Sequence, residues 1–116
     1  MPVVKTITID KLNIDVEFVV GKNAKDNFEN IDEASGHHIW FHTKGYSSSH
    51  IIARLEYDFK KKDLRYIVKQ GAILCKHHSK MASEKNVEII YTRVEHVVKT
   101  DIPGSVIVSH EKTITI

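Results

Sequence analysis

Alternation of apolar and polar residues along much of the chain is typical of β-strands. Residues 5–9 read Lys-Thr-Ile-Thr-Ile and residues 14–20 read Ile-Asp-Val-Glu-Phe-Val-Val, with the two-residue period of a half-buried strand. Six further segments are rich in β-branched or aromatic residues and are separated by polar or glycine-containing turns. The predicted strands are 5–9, 14–20, 38–42, 49–55, 87–92, 95–99, 105–109 and 112–116.

Two other segments have the pattern of a helix. The longer one is predicted at about 63–81, with Asp63 as its N-cap, because one broad side of a helical projection forms an apolar stripe that is expected to be buried. The residues of this stripe are Leu64, Ile67, Val68, Gly71, Leu74, Cys75, His78 and Met81. A shorter helix is predicted at about 24–34, where a polar segment follows the second strand. The sequence therefore predicts an α+β fold, a mostly antiparallel sheet with the long helix packed against one face.

Length and composition are those of one folded domain spanning residues 1–116. With 116 residues, 41% of them hydrophobic, the chain is expected to bury roughly 65% of its unfolded surface without disulfides or metals. Its one cysteine, Cys75, excludes an internal disulfide, and no apolar run approaches the roughly 18 residues of a membrane helix. The start of the chain lacks the pattern of a signal peptide, so we expect a cytoplasmic protein that does not bind membranes.

The excess of positive charge lies in one stretch of the chain. Residues 60–85 contain eight Lys and Arg residues against two acidic residues, a balance of +6, whereas the whole chain carries only +2. On the long helix, four of these cations fall opposite the apolar side: Arg65, Lys69, Lys76 and Lys80. Such a row is a candidate phosphate-binding surface, and its alternative interpretation is a solvated helix face.

A second candidate phosphate-binding segment lies between the second strand and the short helix. Residues 21–27 read Gly-Lys-Asn-Ala-Lys-Asp-Asn, where a glycine permits a tight bend and the free N–H groups of a helix start receive an anion. The spacing of a Walker loop is absent. The candidate nucleic-acid-binding residues are Lys22, Asn23, Lys25 and Asn27. The alternative is an Asx-capped helix start with solvated lysines.

A third candidate group surrounds the aromatic strand 38–42. In a strand, Trp40 and His42 point to one side and Phe41 to the other. Aromatic rings beside histidine and lysine stack on unpaired bases and hold phosphates, which is a common way to bind single-stranded nucleic acid. The candidate binding residues here are His42, Lys44, Ser49 and His50. The alternative for Trp40 and Phe41 is burial in the core.

The sequence contains no established catalytic or metal-binding motif. Eight histidines are present, but there is no His-Glu-x-x-His and no cysteine pair, so we expect no metal site and no cofactor. Ser47–Ser49 beside His50 lack the Gly-x-Ser-x-Gly elbow of a nucleophile. Asp26 with His42 and His50 suits acid–base chemistry on RNA, but their spacing does not demand it. We therefore expect no catalytic residues, with RNA processing or modification as the alternative.

These segments resemble the signature blocks of the NFACT RNA-binding domain, NFACT-R, also called domain of unknown function 814. The likeness runs from about residue 5 to 116 and is most specific at 21–27 and in Ile39-Trp40-Phe41-His42 followed by Lys44. The further matching blocks are Ser49-His50, Val87-x-x-x-Tyr91-Thr92, Val97-x-Lys99, Pro103-Gly104-x-Val106 and 113–116.

The resemblance implies an RNA-binding module. In the family, the domain ends larger ribosome-associated quality-control factors, so the implied partners are rRNA or tRNA on the large ribosomal subunit, together with quality-control proteins. A protein-binding adaptor in translation quality control is the remaining alternative. The chain departs from the family pattern at Ser47-Ser48, where Pro-Gly is usual, and at His38, where an acidic residue is common. The second departure weighs against an enzyme.

Overall fold

The computed structural model describes residues 3–46 and 48–116, which form eight strands, two α-helices and one turn of 3₁₀-helix at Val94–His96. The strands are β1 Val3–Ile9, β2 Ile14–Val20, β3 Ile39–Thr43, β4 Ile51–Arg54, β5 Glu88–Arg93, β6 Val97–Lys99, β7 Val106–Val108 and β8 Lys112–Thr115. The helices are α1 Ala24–Glu33 and α2 Lys61–His77. Six strands pair antiparallel in the order β1-β2-β4-β3-β5-β8, while β6 and β7 form a separate hairpin. The predicted α+β fold is confirmed.

The long helix packs on one face of the six-stranded sheet. Phe18 and Phe41 on that face are fully buried against Ile67 and Ala72 of α2. The two approach closely at Gly71, where an added Cβ would lie 2.3 Å from the Phe41 ring. A residue without a side chain therefore lets α2 lie directly on β3, which carries His42 on its other face.

The opposite face of the sheet is covered by α1 and by the β6–β7 hairpin. Trp40 and Ile52 form a second buried cluster there with Ile31 of α1 and Val97 of β6. Successive residues of β3 thus enter different cores, as strand alternation requires. Phe41 and Trp40 lie on opposite faces of the sheet, so this prediction is confirmed. Both rings are buried in the core, which was the alternative to stacking on bases.

The observed bounds of α2 differ from the predicted 63–81. The helix begins at Lys61, with Lys60 as an N-cap that makes no side-chain cap bond, so the prediction of Asp63 as N-cap is wrong. It ends at His77 because Ser79 leads the chain away: its hydroxyl donates to the Lys76 carbonyl at 2.7 Å. An isolated bridge then pairs Ser79 with Ser48. Lys80 consequently lies beyond the helix.

Other bounds shift where the ends of predicted strands make local turns. β4 starts at Ile51 instead of 49, although the His50 carbonyl accepts from the Gly21 N–H at 3.0 Å, a bond that continues the β2–β4 register by one pair. Residues 95–96 belong to the 3₁₀-turn and not to β6. Met1, Pro2 and Ser47, which belong to segments considered above, lie outside the described residues. Neither α1 nor α2 is long and apolar enough to cross a membrane.

Candidate nucleic-acid interface

A cleft of about 530 Å³ forms where five separate segments of the chain meet. It lies at the end of β2 where α1 begins and reaches the end of α2 and the turn before β7. The residues that line it are Gly21, Lys22, Asn23, Ala24, Asn27, His42, Ser48, Ser49, His50, His78, Ser79, Lys80, Pro103 and Gly104. Seven predicted binding residues meet in this one place: Lys22, Asn23, Asn27, His42, Ser49, His50 and Lys80.

The start of α1 is capped by its own side chains. The Asn23 Oδ1 accepts from the Asp26 backbone N–H at 2.8 Å, and the Asp26 carboxylate accepts from the Lys22 N–H at 3.3 Å. This is the Asx-capped start that the sequence offered as an alternative. The Asn23 oxygen is thus engaged by the fold, while the positive end of the α1 dipole still faces the cleft.

Gly21 is needed for packing and not for an unusual backbone angle. The glycines with positive φ among the described residues are Gly45 and Gly104, so Gly21 does not use the left-handed conformation that favours glycine. A Cβ at Gly21 would instead lie 2.0 Å from the Asn27 Oδ1. The Asn27 side chain is buried against this glycine, and its Oδ1 has no partner among the described residues.

Two histidines and one tryptophan form a compact cluster along the cleft. The indole ring of Trp40 stacks parallel to the His42 ring, with centroids 5.7 Å apart, and its N–H donates to the His50 Nδ1 at 3.3 Å. The His42 and His50 rings lie 5.2 Å apart and nearly perpendicular. Trp40 is only 1% exposed, so it supports the two imidazoles and does not offer its ring to a base.

Burial keeps both imidazoles of the cluster neutral at neutral pH. Desolvation, together with the neighbouring His42, lowers the pKa of His50 to about 4. Desolvation also lowers the pKa of His42, partly offset by its hydrogen bond to the Thr43 carbonyl. The nearby Cys75 thiol is buried as the sequence predicts, and desolvation raises its pKa to about 12, so it is inert.

Two lysines from distant parts of the chain converge at the cleft. Lys22 precedes α1 and Lys80 follows α2, and both line the cleft. Desolvation is the main cause of the lowered pKa of His78, followed by the charges of His77, Lys5 and Lys22, so His78 lies within reach of the Lys22 charge. The segment at 21–27 and the basic stretch at 60–85 therefore meet on one surface through Lys22 and Lys80.

Two other predicted phosphate ligands make exposed ion pairs. The Lys25 ammonium lies 3.8 Å from the Glu29 carboxylate, and Lys44 lies 3.6 Å from Glu88. Exposed pairs of this kind contribute about 0–1 kcal/mol, so they exchange readily for another anion. Lys25 and Lys44 flank the cleft in sequence but do not line it.

The rest of the predicted cationic row is dispersed along α2. Arg65 packs over the Tyr66 ring and donates to its hydroxyl at 2.7 Å. Lys69 lines a different cleft beside the β1–β2 turn, and the Lys76 ammonium donates to the Ile116 carbonyl at 3.2 Å. Only Lys80, which the sequence placed on the helix, reaches the cleft with the histidines.

Several cleft residues were not among the predicted site residues. His78 had been assigned to the apolar side of α2, but the helix ends before it and its ring lines the cleft. Pro103 and Gly104 belong to a block that resembles the family but were not predicted to bind, and Gly104 packs so closely on α1 that a Cβ would lie 3.2 Å from the Ala24 Cα. No local pattern indicates this contact. Over residues 3–46 and 48–116, no group of three or more His, Cys, Asp or Glu side chains has an arrangement that could hold a metal ion.

Comparison with known proteins identifies the family of this chain. A solved structure of the C-terminal part of the fibronectin/fibrinogen-binding protein of Streptococcus suis has the same fold, with a TM-score of 0.81 and 22% sequence identity. The match covers 99% of this chain but 44% of the other, so this chain spans less than half of that structure. No curated protein matches the chain. The profile described as the NFACT protein RNA-binding domain matches residues 10–110, and the chain belongs to the NFACT RNA-binding domain family.

Proposed function

We propose that this RNA-binding domain holds an unpaired segment of rRNA or tRNA in the cleft, mainly through phosphates, and acts as a binding module in ribosome-associated quality control. The observation that carries this proposal is the convergence of Lys22 and Lys80 beside His42 and His50. Cations supply most of the affinity for RNA, and neutral hydrogen-bonding groups position the strand. A cytoplasmic location, without membrane association, follows from a ribosomal partner.

Charge reversal at the cleft tests the proposal. The double variant Lys22→Glu, Lys80→Glu is expected to weaken binding of a fluorescent tRNA or single-stranded RNA about 100-fold or more at moderate salt, because two phosphate contacts become repulsive. Fluorescence anisotropy gives the affinity, and circular dichroism checks the fold. Crosslinking the domain in cells and sequencing the attached RNA then separates rRNA from tRNA.

A matched control is available on the far side of the molecule. Lys11 lies in the β1–β2 turn, at the opposite end of β2 from Gly21, and Lys61 lies at the start of α2, about 24 Å along the helix from its end. Lys11→Glu, Lys61→Glu changes the net charge by the same amount and should leave affinity within about twofold. Equal loss in both double variants would contradict the cleft as the site. No affinity for RNA at low salt would favour the protein-binding alternative.

We propose a binding role over catalysis for the same residues. General acid–base cleavage of RNA needs one histidine to be protonated near neutral pH, and burial lowers the pKa of both His42 and His50. Incubating RNA with the purified domain, with and without EDTA and divalent metal, tests this assignment. Turnover that is lost in His42→Ala would make RNA processing the better description.

A further inference from the structure

The two cleft histidines are held in opposite tautomers by their neighbours. The Trp40 indole N–H can only donate, so the His50 Nδ1 that accepts from it carries no proton, and a neutral His50 is protonated at Nε2. The Thr43 carbonyl can only accept, so the His42 Nδ1, 2.7 Å away, carries the proton and leaves the His42 Nε2 bare.

The remaining ring nitrogens are available to a ligand in the cleft. Neither the His42 Nε2 nor the His50 Nε2 has a hydrogen-bond partner among residues 3–46 and 48–116, and both rings line the cleft. His50 is 96% buried, since only 4% of its surface is exposed, so its imidazole has one fixed orientation. The cleft thus offers one N–H donor and one bare acceptor on adjacent rings.

We propose that this pair recognises the 2′-hydroxyl of an unpaired ribonucleotide. The hydroxyl donates to the His42 Nε2 and accepts from the His50 Nε2–H, while Lys22 and Lys80 bind the flanking phosphates. This inference rests on the proposed function and adds to it a preference for RNA over DNA. Deoxyribose lacks the hydroxyl, and a 2′-O-methyl group accepts but cannot donate. A cleft of about 530 Å³ lies within the range of nucleotide-sized pockets.

Trp40 is the positioning residue for this preference: it orients the two imidazoles and does not itself touch the ligand. Its indole N–H selects the His50 tautomer, and its ring face stacks on His42. Replacement by phenylalanine keeps the aromatic face but removes the donor. Trp40→Phe is therefore expected to release the His50 tautomer and to reduce the preference for RNA without adding or removing a charge.

The test compares four eight-nucleotide single strands of one sequence, with ribose, deoxyribose, 2′-O-methyl or 2′-fluoro sugars. The intact domain should bind the ribose strand about tenfold more tightly than the other three, which corresponds to the loss of one or two hydrogen bonds. His42→Phe keeps a ring on Trp40 but has no acceptor, so the ratio of RNA to DNA affinity should fall to about one. Lys22→Ala should weaken both strands equally and leave the ratio unchanged.

Three outcomes would overturn the inference, and they separate it from the proposed function. Equal affinity of the intact domain for all four strands, still lost in Lys22→Glu, Lys80→Glu, would contradict hydroxyl recognition and leave the phosphate-binding cleft in place. No affinity for any strand would contradict both. Nitrogen NMR of the imidazoles needs neither ligand nor variant: His50 protonated at Nδ1, or His42 at Nε2, would exclude the proposed hydrogen bonds.

Discussion

At the scale of single residues, burial of His50 makes the stability of the fold depend on pH. Its pKa is about 4 in the folded chain against 6.5 in a model peptide, so the unfolded chain binds a proton that the folded chain refuses. The stability that the fold gains from keeping His50 unprotonated is therefore fully present above pH 6.5 and is lost as the pH falls towards 4. The free energy of unfolding should drop by up to about 3 kcal/mol across this range from this group alone.

Urea denaturation at pH 7.5, 5.5 and 4.5 measures this drop. In His50→Asn, the amide oxygen replaces Nδ1 as acceptor for Trp40 and cannot titrate, so the drop should be smaller than in the intact chain by the His50 contribution. His42 is the titratable group that faces His50 from β3, and its own lowered pKa adds a loss of the same sign in both proteins. Identical pH profiles would show that His50 titrates normally.

Residue-scale placement was predictable from the sequence only where it follows from strand alternation. The two-residue period puts Trp40 and His42 on one side and Phe41 on the other, and the structure agrees. Strand alternation does not reveal that the Trp40 indole N–H donates a hydrogen bond to His50, because this bond joins β3 to the segment before β4. The ion pair between Lys25 and Glu29 joins residues four apart on α1, a spacing that the sequence itself indicates.

At the scale of elements, the buried side of α2 was predictable but its ends were not. Ile67, Val68, Gly71 and Cys75 belong to the predicted apolar stripe and are buried. The stripe continues in sequence through Met81, yet the helix stops at His77 because Ser79 bonds to the Lys76 carbonyl and pairs with Ser48. A tertiary contact therefore overrides a periodic pattern, and this moves Lys80 from a helix face into the cleft.

The contact between α2 and β3 predicts the effect of one methyl group. Alanine favours a helix over glycine by about 1 kcal/mol, but a Cβ at Gly71 would lie 2.3 Å from the Phe41 ring, which is fully buried. Overpacking costs about 1–3 kcal/mol, and the clash here is with a fully buried ring. We therefore expect the cost to outweigh the gain in helix propensity, so Gly71→Ala should be destabilising in urea denaturation.

The exposed neighbour Ile73 supplies the control for this prediction. Ile73 is 41% exposed on α2 and is not part of the buried core cluster, so Ile73→Ala should shift the free energy of unfolding by less than about 1 kcal/mol. Combining Gly71→Ala with Phe41→Leu, which frees part of the ring volume, should recover some of the loss. A stabilised Gly71→Ala would mean that α2 moves away from β3 at no cost.

At the scale of the whole molecule, the cleft depends on contacts between residues that lie far apart in sequence. Lys22 and Lys80 are brought together because the Gly21 N–H bonds to the His50 carbonyl and because Ser48 pairs with Ser79. The first contact continues the β2–β4 register by one pair and the second is an isolated bridge. Both depend on which segments pair in the folded molecule, which neither periodicity nor turn residues indicate. The sequence thus predicts seven of the residues that line the cleft, but it does not show that they share one surface.

The net charge and the size of the whole molecule predict how salt affects the affinity for RNA. The net charge is only +2, and the chain extends 39 × 32 × 28 Å, several times the Debye length of about 8 Å in physiological salt. Distant cations are also engaged: Arg93 pairs with Asp58 and Glu95. Affinity for RNA should therefore respond to salt mainly through the few cations at the cleft, and long-range attraction should contribute little.

The slope of log affinity against log salt concentration measures that number of contacts. For single-stranded RNA, each phosphate contact contributes about −0.7, so Lys22→Ala, Lys80→Ala should make the slope shallower by about 1.4. Lys11→Ala, Lys61→Ala removes the same charge far from the cleft and should leave the slope within about 0.3 of the intact protein. If both double variants flattened the slope equally, phosphates would be bound by the overall charge of the domain. A change confined to the first variant requires direct contact at the cleft, because long-range attraction does not distinguish between two pairs of lysines of equal charge.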